Sequence, residues 1–230
     1  MTVLTRPNFI APDTLTAIQR EAHAAAHRAY FTTTPHTVFL TPPDPSLPDT
    51  HVRNRMVTSS KGCICDDDVP AGSPLRALYE SDAFRGFIME QTGETALHPY
   101  ADPLSSINVH YAERGQELGW HFDNSEFAIT LLIQKPDAGG RFEYVPGLRD
   151  SATGEVDEEG INALLDGRMK PKVLDIEPGT LVLFRGRDAI HRVSPNESDT
   201  TRILAVLAYN SEPGIALSED ARMTFYGRLN

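Results

Sequence analysis

An imidazole and a carboxylate stand two residues apart in Gly119-Trp120-His121-Phe122-Asp123, just ahead of an alternating run from Phe127 to Gln134. On an extended strand, residues i and i+2 point to one face. His121 and Asp123 can then bind one metal ion from the same side, with Phe122 turned away. A second histidine would complete a two-histidine, one-carboxylate set. Such a set leaves three neighbouring coordination positions open, which suits Fe(II), O2 and a chelating co-substrate. The pair carries little weight by itself. With 8 histidines and 32 acidic residues in 230, roughly one His-x-acid pair is an ordinary chance event. The elements that position the pair, and its partners elsewhere, have to decide.

Downstream, Glu177-Pro178-Gly179-Thr180 reads as a turn into the apolar run Leu181-Val182-Leu183-Phe184. His191 then opens a short extended piece, 68 positions after Asp123, and Arg202 follows 11 positions later at the head of an apolar strand, Ile203 to Tyr209. An arginine in an apolar run is costly to bury without an anion. A dicarboxylate co-substrate would supply one, its far carboxylate on Arg202 and its 2-oxo acid end on the metal. The plainer alternative is a salt bridge to one of the acidic side chains.

The segments that would carry these groups are short, rich in Val, Ile, Phe and Tyr, and punctuated by Gly, Pro and Asp. Strands are expected at Ser106 to Tyr111, Gly119 to Asp123, Phe127 to Gln134, Arg141 to Val145, Lys172 to Ile176, Thr180 to Phe184, His191 to Val193 and Arg202 to Tyr209. Many short strands with turn signals between them mean a sandwich or barrel. Ahead of them the pattern predicts a helix over Asp13 to His27, capped by Asp13, and a second over Pro74 to Gln91, ended by Gly93. A short strand is expected at Thr37 to Leu40, and a half-buried one at His51 to Val57 with Arg53 and Arg55 on one face. Asp66-Asp67-Asp68 reads as a solvated acidic loop, and Ser151 to Lys170 as an acidic insertion with a short helix over Glu158 to Leu165. The fold class is therefore mainly β with N-terminal helices, a jelly-roll barrel buttressed by those helices.

Length and composition are those of one soluble globular domain. It would divide into an N-terminal part over 1–100, a jelly-roll core over 104–210 and a C-terminal segment over 211–230. A net charge of -11 argues against nucleic acid as a partner, since phosphate binding needs a basic surface. No apolar run is long enough for a membrane span, and the N-terminus lacks a signal-peptide pattern. Two cysteines, Cys63 and Cys65, are too few and too close for a disulfide framework and read as a loop feature. A cytoplasmic location is the expectation.

His121-x-Asp123, the distal His191 and Arg202 together resemble the Fe(II)/2-oxoglutarate-dependent dioxygenases, whose fold is a double-stranded β-helix, a cupin-like relative of the jelly roll. The likeness extends to Gly139-Gly140-Arg141-Phe142-Glu143-Tyr144-Val145-Pro146-Gly147, to Pro178-Gly179-Thr180 with Leu183-Phe184-Arg185-Gly186-Arg187, and to Phe225-Tyr226-Gly227-Arg228. In these the chain looks like the bacterial ArpA-type oxygenases, relatives of the free-amino-acid (lysine-type) halogenases and hydroxylases, over roughly residues 50–228. The resemblance implies Fe(II) on His121, Asp123 and His191, 2-oxoglutarate anchored by Arg202, O2 as co-reactant, and release of succinate and CO2. Halogenases of this kind replace the carboxylate ligand by a small residue to admit a halide. Asp123 occupies that place, so hydroxylation or a related desaturation is implied. Many relatives carry Ser or Thr two residues after the arginine. Leu204 stands there, so Thr130 or Asn108 is the candidate for a second donor to the co-substrate.

The resemblance further implies a small-molecule substrate, a free amino acid or a similar metabolite. Arg53 and Arg55 are the candidates for its carboxylate, since guanidinium binds carboxylate through two parallel hydrogen bonds. Asn124, Glu126 or Glu143 could take its amine, and Asn210, Tyr226 and Arg228 lie on segments that could close the barrel mouth. Trp120, Phe142 and Tyr144 are candidate apolar neighbours of the metal. Two other readings stay open: a cupin-type metal enzyme that uses no 2-oxoglutarate, and a non-enzymatic ligand-binding jelly roll with structural histidines.

Overall fold

The structure is a computed structural model and describes residues 2–230. Its elements are β1 (Val3–Arg6), α1 (Pro12–Ala25), β2 (Tyr30–Thr37), β3 (Met56–Ile64), α2 (Pro74–Glu80), α3 (Asp82–Thr92), β4 (Ile107–Ala112), β5 (Leu118–His121), β6 (Ala128–Gln134) and β7 (Phe142–Pro146). There follow β8 (Arg149–Asp150), β9 (Glu155–Val156), α4 (Glu158–Leu165), β10 (Lys172–Leu174), β11 (Leu181–Phe184), β12 (Ala189–Val193), β13 (Arg202–Leu207) and α5 (Glu219–Tyr226). Seven strands form one sheet in the order β1-β11-β6-β13-β4-β3-β2, and four form a second in the order β10-β7-β12-β5. Every pairing within these sheets is antiparallel. This is the expected jelly roll with helices ahead of it. No described helix is long and apolar enough to cross a membrane.

The period-two alternation of each strand sorts its side chains between faces. Ile129, Leu131 and Ile133 of β6, Ile203, Ala205 and Leu207 of β13, and Ile107, Val109 and Tyr111 of β4 join one core with Ile18, Ala22, Leu75, Tyr79, Phe84 and Ile88 of α1–α3. Burial of each large apolar side chain contributes roughly 1.5–3 kcal/mol, so this seam fixes the large sheet against the helices. The other face of the large sheet looks onto the small one, where Val182 and Phe184 pack with Phe142, Tyr144 and Ala189. Beyond the small sheet, Trp120, Phe122 and Ile190 pack with Ile161 and Leu164 of α4. Trp120 is therefore on the outer face, not beside the candidate metal ligands as expected, because it alternates with His121.

Several local expectations are corrected. The helix expected over Pro74 to Gln91 is two helices, broken where Ser81 turns extended and its side chain accepts from the Phe84 N–H. Helix α1 starts at Pro12, with Ala11 as its cap residue and Asp13 inside the first turn. Pro fits that place because its missing N–H would be unpaired there anyway. The strand expected at Thr37 to Leu40 lies earlier, in β2, an edge strand that tolerates Pro35. The segment around Arg53 is a turn, and β3 starts only at Met56. The buried Asn54 amide decides this: its Nδ2 donates to the Asp44 and Leu47 carbonyls, and its Oδ1 accepts from Asp44 N. Asp66-Asp67-Asp68 forms a single helical turn whose carboxylates pair with Arg76 and Arg228. Cys63 lies in β3, and both cysteines are buried and free, their thiols pushed up to about 11 and about 12, chiefly by burial.

Candidate metal centre

The strands β5 and β12 pair so that His121 stands directly opposite His191, with ring centroids 4.2 Å apart. Both are buried. Asp123 lies just beyond the end of β5, and its backbone N–H donates to Gly186 O at 3.0 Å. Its Oδ1 is 3.4 Å from His121 Nε2 and 3.6 Å from His191 Nε2. One ligand atom from each of the three residues lies within 4.8 Å of the others.

The donor chemistry fits a divalent metal. His121 Nδ1 donates to Gly119 O at 2.8 Å, and His191 Nδ1 donates to Ala189 O at 3.0 Å. A carbonyl can only accept, so each ring carries its proton on Nδ1 and turns the Nε2 lone pair inward, as metal-bound imidazoles require. Asp123 Oδ2 is buried with no hydrogen-bond partner among the described residues. A buried carboxylate oxygen left without a partner is costly, and a cation at this point would satisfy it. Burial and the facing His121 hold the His191 imidazole down to about 4, so it is a neutral ligand at physiological pH. Burial raises the Asp123 carboxyl, but the facing histidines outweigh it and leave the group below its ordinary value.

Gly186 is part of the same geometry. A Cβ there would overlap Asp123 Oδ2 and come within 2.9 Å of His191 Cε1. Gly186→Ala is expected to displace the carboxylate and weaken Co(II) or Fe(II) binding by roughly 10- to 100-fold, as loss of support around a metal ligand does. Equilibrium dialysis of the variant measures this, and unchanged affinity would contradict the role given to Gly186.

Around His191 stands an aromatic wall. Phe184 meets it edge-on at 4.7 Å between centroids, Phe142 lies at 5.5 Å, and Tyr144 packs on Phe184 at 5.6 Å. On the His121 side, Gly119 N–H donates to Ser59 Oγ at 3.0 Å, and Ser59 bonds His36 Nε2 at 2.6 Å. His36 stands edge-on to His121 at 6.1 Å.

Arg202 opens β13 and is 7% exposed. Among the described residues no carboxylate reaches it. Burial alone pulls its guanidinium down to about 10, still a full cation at neutral pH. It borders a cavity of about 440 Å³, lined also by Leu132, Gly140, Phe142, Leu174 and Ile176. Gly140 has φ +56, and a Cβ on it would meet Pro136 Cγ at 2.6 Å and Arg202 Cδ at 3.2 Å, so glycine is required where the arginine passes.

The remaining candidates separate. Thr130 alternates with the core residues Ile129 and Leu131 and so shares the interior-facing side of β6 with Leu132. Asn108 is corrected: its amide N–H groups donate to Leu104 O and Ile107 O, and its Oδ1 accepts from Tyr226 O–H at 2.9 Å, so no donor is left for a co-substrate. Arg53 and Arg55 are corrected too. They do not share a strand face; Arg53 faces Glu158 at 3.9 Å, and Arg55 binds Asp166 at 2.8 Å and Asn162 at 2.9 Å, which ties their loop to α4 and its C-terminal end. Arg228 is engaged by Asp67 and Asp68, Glu126 by Arg185, and Glu143 by Arg192, which in turn lies over Trp120 on the outer face. These charges already have partners, which is the physical reason to set them aside as substrate contacts. Tyr226 is buried and anchors α5 to Asn108. Asn210 forms a backbone bridge with His98, and its buried Nδ2 has no partner among the described residues. Asn124 is exposed beside Asp123.

Sequence reasoning missed Ser59, His36, Lys61 and His110. A signal was present. In Ile107-Asn108-Val109-His110-Tyr111-Ala112 polar side chains alternate with apolar ones, as on a strand with one face in a core and the other in a polar chamber.

Over residues 49–223 the chain matches the family model described as Halogenase D. No curated protein matches it. Its fold is similar to HygX from Streptomyces hygroscopicus, solved with nickel, 2-oxoglutarate and hygromycin B bound (15% identity, 96% of this chain and 90% of that one, TM-score 0.56). It is also similar to a Pseudomonas putida prolyl-4-hydroxylase (14%, 89% and 91%, 0.53) and to a 2OG-Fe(II) oxygenase family oxidoreductase from Burkholderia pseudomallei (14%, 93% and 87%, 0.56).

Proposed function

The chain belongs to the Halogenase D family and is an Fe(II)/2-oxoglutarate-dependent oxygenase, and from that premise we propose that it hydroxylates an unactivated C–H bond of a small metabolite, a free amino acid or a close relative of one. The observation that carries the reaction type is Asp123. Its carboxylate stands within 3.4 and 3.6 Å of the two inward Nε2 atoms and keeps an unpartnered oxygen, so it completes the ligand set and leaves no vacancy for a halide on its side.

In this reading His121, Asp123 and His191 hold Fe(II), and Arg202 takes the far carboxylate of 2-oxoglutarate from the adjoining cavity. When bound, these groups with O2 supply the oxidant that converts a C–H bond to C–OH while 2-oxoglutarate leaves as succinate and CO2. The chain's own residues set the conditions. The carbonyls of Gly119 and Ala189 hold the imidazole protons on Nδ1 and fix both rings. Phe142, Tyr144 and Phe184 pack along the His191 side and keep water from that wall. Thr130 is taken as the second donor to the co-substrate, supported by its sharing a face of β6 with Leu132, which lines the cavity beside Arg202.

The test is a screen of free amino acids with Fe(II), 2-oxoglutarate and O2, in buffer with added chloride, read by mass spectrometry. The expected product gains one oxygen and accumulates with succinate in equal amounts. A product that gains chlorine would overturn the hydroxylase reading. Absence of succinate with every compound, and with none added, would overturn the dependence on 2-oxoglutarate.

A further inference from the structure

Among the described residues two cations face the chamber between the sheets, and Arg202 alone is accounted for by the co-substrate. The second is Lys61. On β3, Ile64 shares the core face, while Lys61, like Ser59, takes the opposite, interior face by alternation. The register pairs Arg202 with Ala112, and Tyr111 with Gly62; one step on, Lys61 stands level with Ala112. Lys61 and Arg202 are thus two strands apart in one row, roughly 10 Å between backbones, with the small side chain of Ala112 between them.

Lys61 is built in. Its Nζ lies 3.0 Å from His110 Nδ1 and 3.2 Å from His110 Nε2. His110 is neutral, held well below its ordinary value by burial and then by the neighbouring Lys61 and Arg202, so it accepts from the ammonium. The Phe225 ring of α5 lies over the same ammonium at 6.0 Å. No carboxylate among the described residues makes an ion pair with it. Burial lowers the lysine, and Asp123 is the one carboxylate whose charge acts to raise it.

Charge balance then bears on the occupant. Fe(II), the Asp123 carboxylate, the two charges of 2-oxoglutarate and the Arg202 guanidinium neutralise one another. The half-buried Lys61 ammonium is left over at the edge of the chamber, and a cation drawn partly out of water without an anion is disfavoured. Position separates this site from the co-substrate's. The cavity beside Arg202 runs toward β6, β7 and β10. Lys61 lies on the other side, where β3 borders β5 through the Ser59–Gly119 bond and α5 covers the chamber.

We infer that Lys61, seated by His110, binds an acidic group of the substrate to be oxidised, so that this substrate carries a carboxylate into the chamber on the β3 side of the metal centre. This rests on the hydroxylase reading above and gives the role first expected of Arg53 and Arg55 to a residue inside the barrel.

The test titrates the full chain with acetate, and in parallel with acetamide, at constant pH. The imidazole 15N resonances of His110 are followed, first in metal-free protein and then in protein loaded with Zn(II) and 2-oxoglutarate. Acetate is expected to give a saturable shift in both states and acetamide none. In Lys61→Met the acetate affinity should fall at least about tenfold, the loss of one charge-assisted hydrogen bond, and Lys61→Arg should regain most of it. Methionine is apolar and of similar length, so it removes the half-buried charge without opening a cavity. No response to acetate, or an unchanged response in Lys61→Met, overturns the proposal. A response present in metal-free protein but abolished by 2-oxoglutarate also overturns it, by assigning Lys61 to the co-substrate. If Zn(II) and 2-oxoglutarate do not bind at all, the oxygenase reading fails, while the metal-free titration still reports on Lys61.

Discussion

His191→Ala is expected to abolish succinate release and to lower Fe(II) affinity by more than about 100-fold, since changes merely beside a ligand already cost roughly 10- to 100-fold. The size of the effect follows from geometry. His191 contributes one of three inward lone pairs and stands directly across the strand pair from His121. Without it the ion would keep a histidine and a carboxylate two residues apart, with no ligand from the opposite strand to close the set. Folding should survive. The site packs two buried imidazoles with centroids 4.2 Å apart, and removing one side chain leaves the backbone pairing of β5 with β12 in place. Circular dichroism and thermal melting of the metal-free variant check the fold, and metal analysis with a coupled succinate assay checks the chemistry. Turnover of 2-oxoglutarate that persists in a folded His191→Ala protein would show that the metal is held elsewhere. Asp123→Ala should behave in the same way, because it removes the only carboxylate of the group.

Arg202→Ala is expected to raise the KM for 2-oxoglutarate by roughly 100-fold, the loss of about 2–3 kcal/mol for a hydrogen-bonded charge pair, with a much smaller change in kcat at saturation. The guanidinium is buried without an internal anion, so it holds its full capacity for the ligand. An effect confined to KM is the mark of an interaction made equally before and during the reaction. Steady-state succinate release against 2-oxoglutarate concentration measures it. Arg202→Met, which removes the unpaired buried charge without opening a large cavity, should melt no lower than the parent in the absence of ligand. A KM within about threefold of the parent, well short of that charge pair's contribution, would assign Arg202 a structural role and favour a cupin-type enzyme that needs no 2-oxoglutarate. Together the two variants separate the metal from its co-substrate. Loss of His191 should remove both binding events, whereas loss of Arg202 should leave metal binding intact.

Much of the architecture was legible in the residues themselves. The helix over Glu158 to Leu165 falls as expected, with Asp157 capping it, and β4 to β7 and β10 to β13 lie within a few residues of their expected bounds, whereas the short β8–β9 hairpin was not expected. The errors cluster where local pattern has two readings. His51 to Val57 alternates like a strand, yet Asn54 folds it into a turn by bonding backbone groups up to ten residues away. Pro74 to Gln91 is apolar on one side throughout, yet Ser81 finds a better use as a cap than as an interior residue.

The same division runs through the site. Strand alternation alone put His121 and Asp123 on one side of the chain and made a buried Arg202 in need of an anion, because side-chain direction along a strand is a local property with period two. Which histidine would meet them, which ring nitrogen it would present, and which charges would find protein partners first are set by contacts between segments far apart in sequence. The β5–β12 register brings His191 to His121; the helix α4 captures Arg53 and Arg55; the Asp67–Asp68 turn captures Arg228. Only that packing leaves Arg202 and Lys61, among the described residues, as the chamber-facing cations still without a carboxylate.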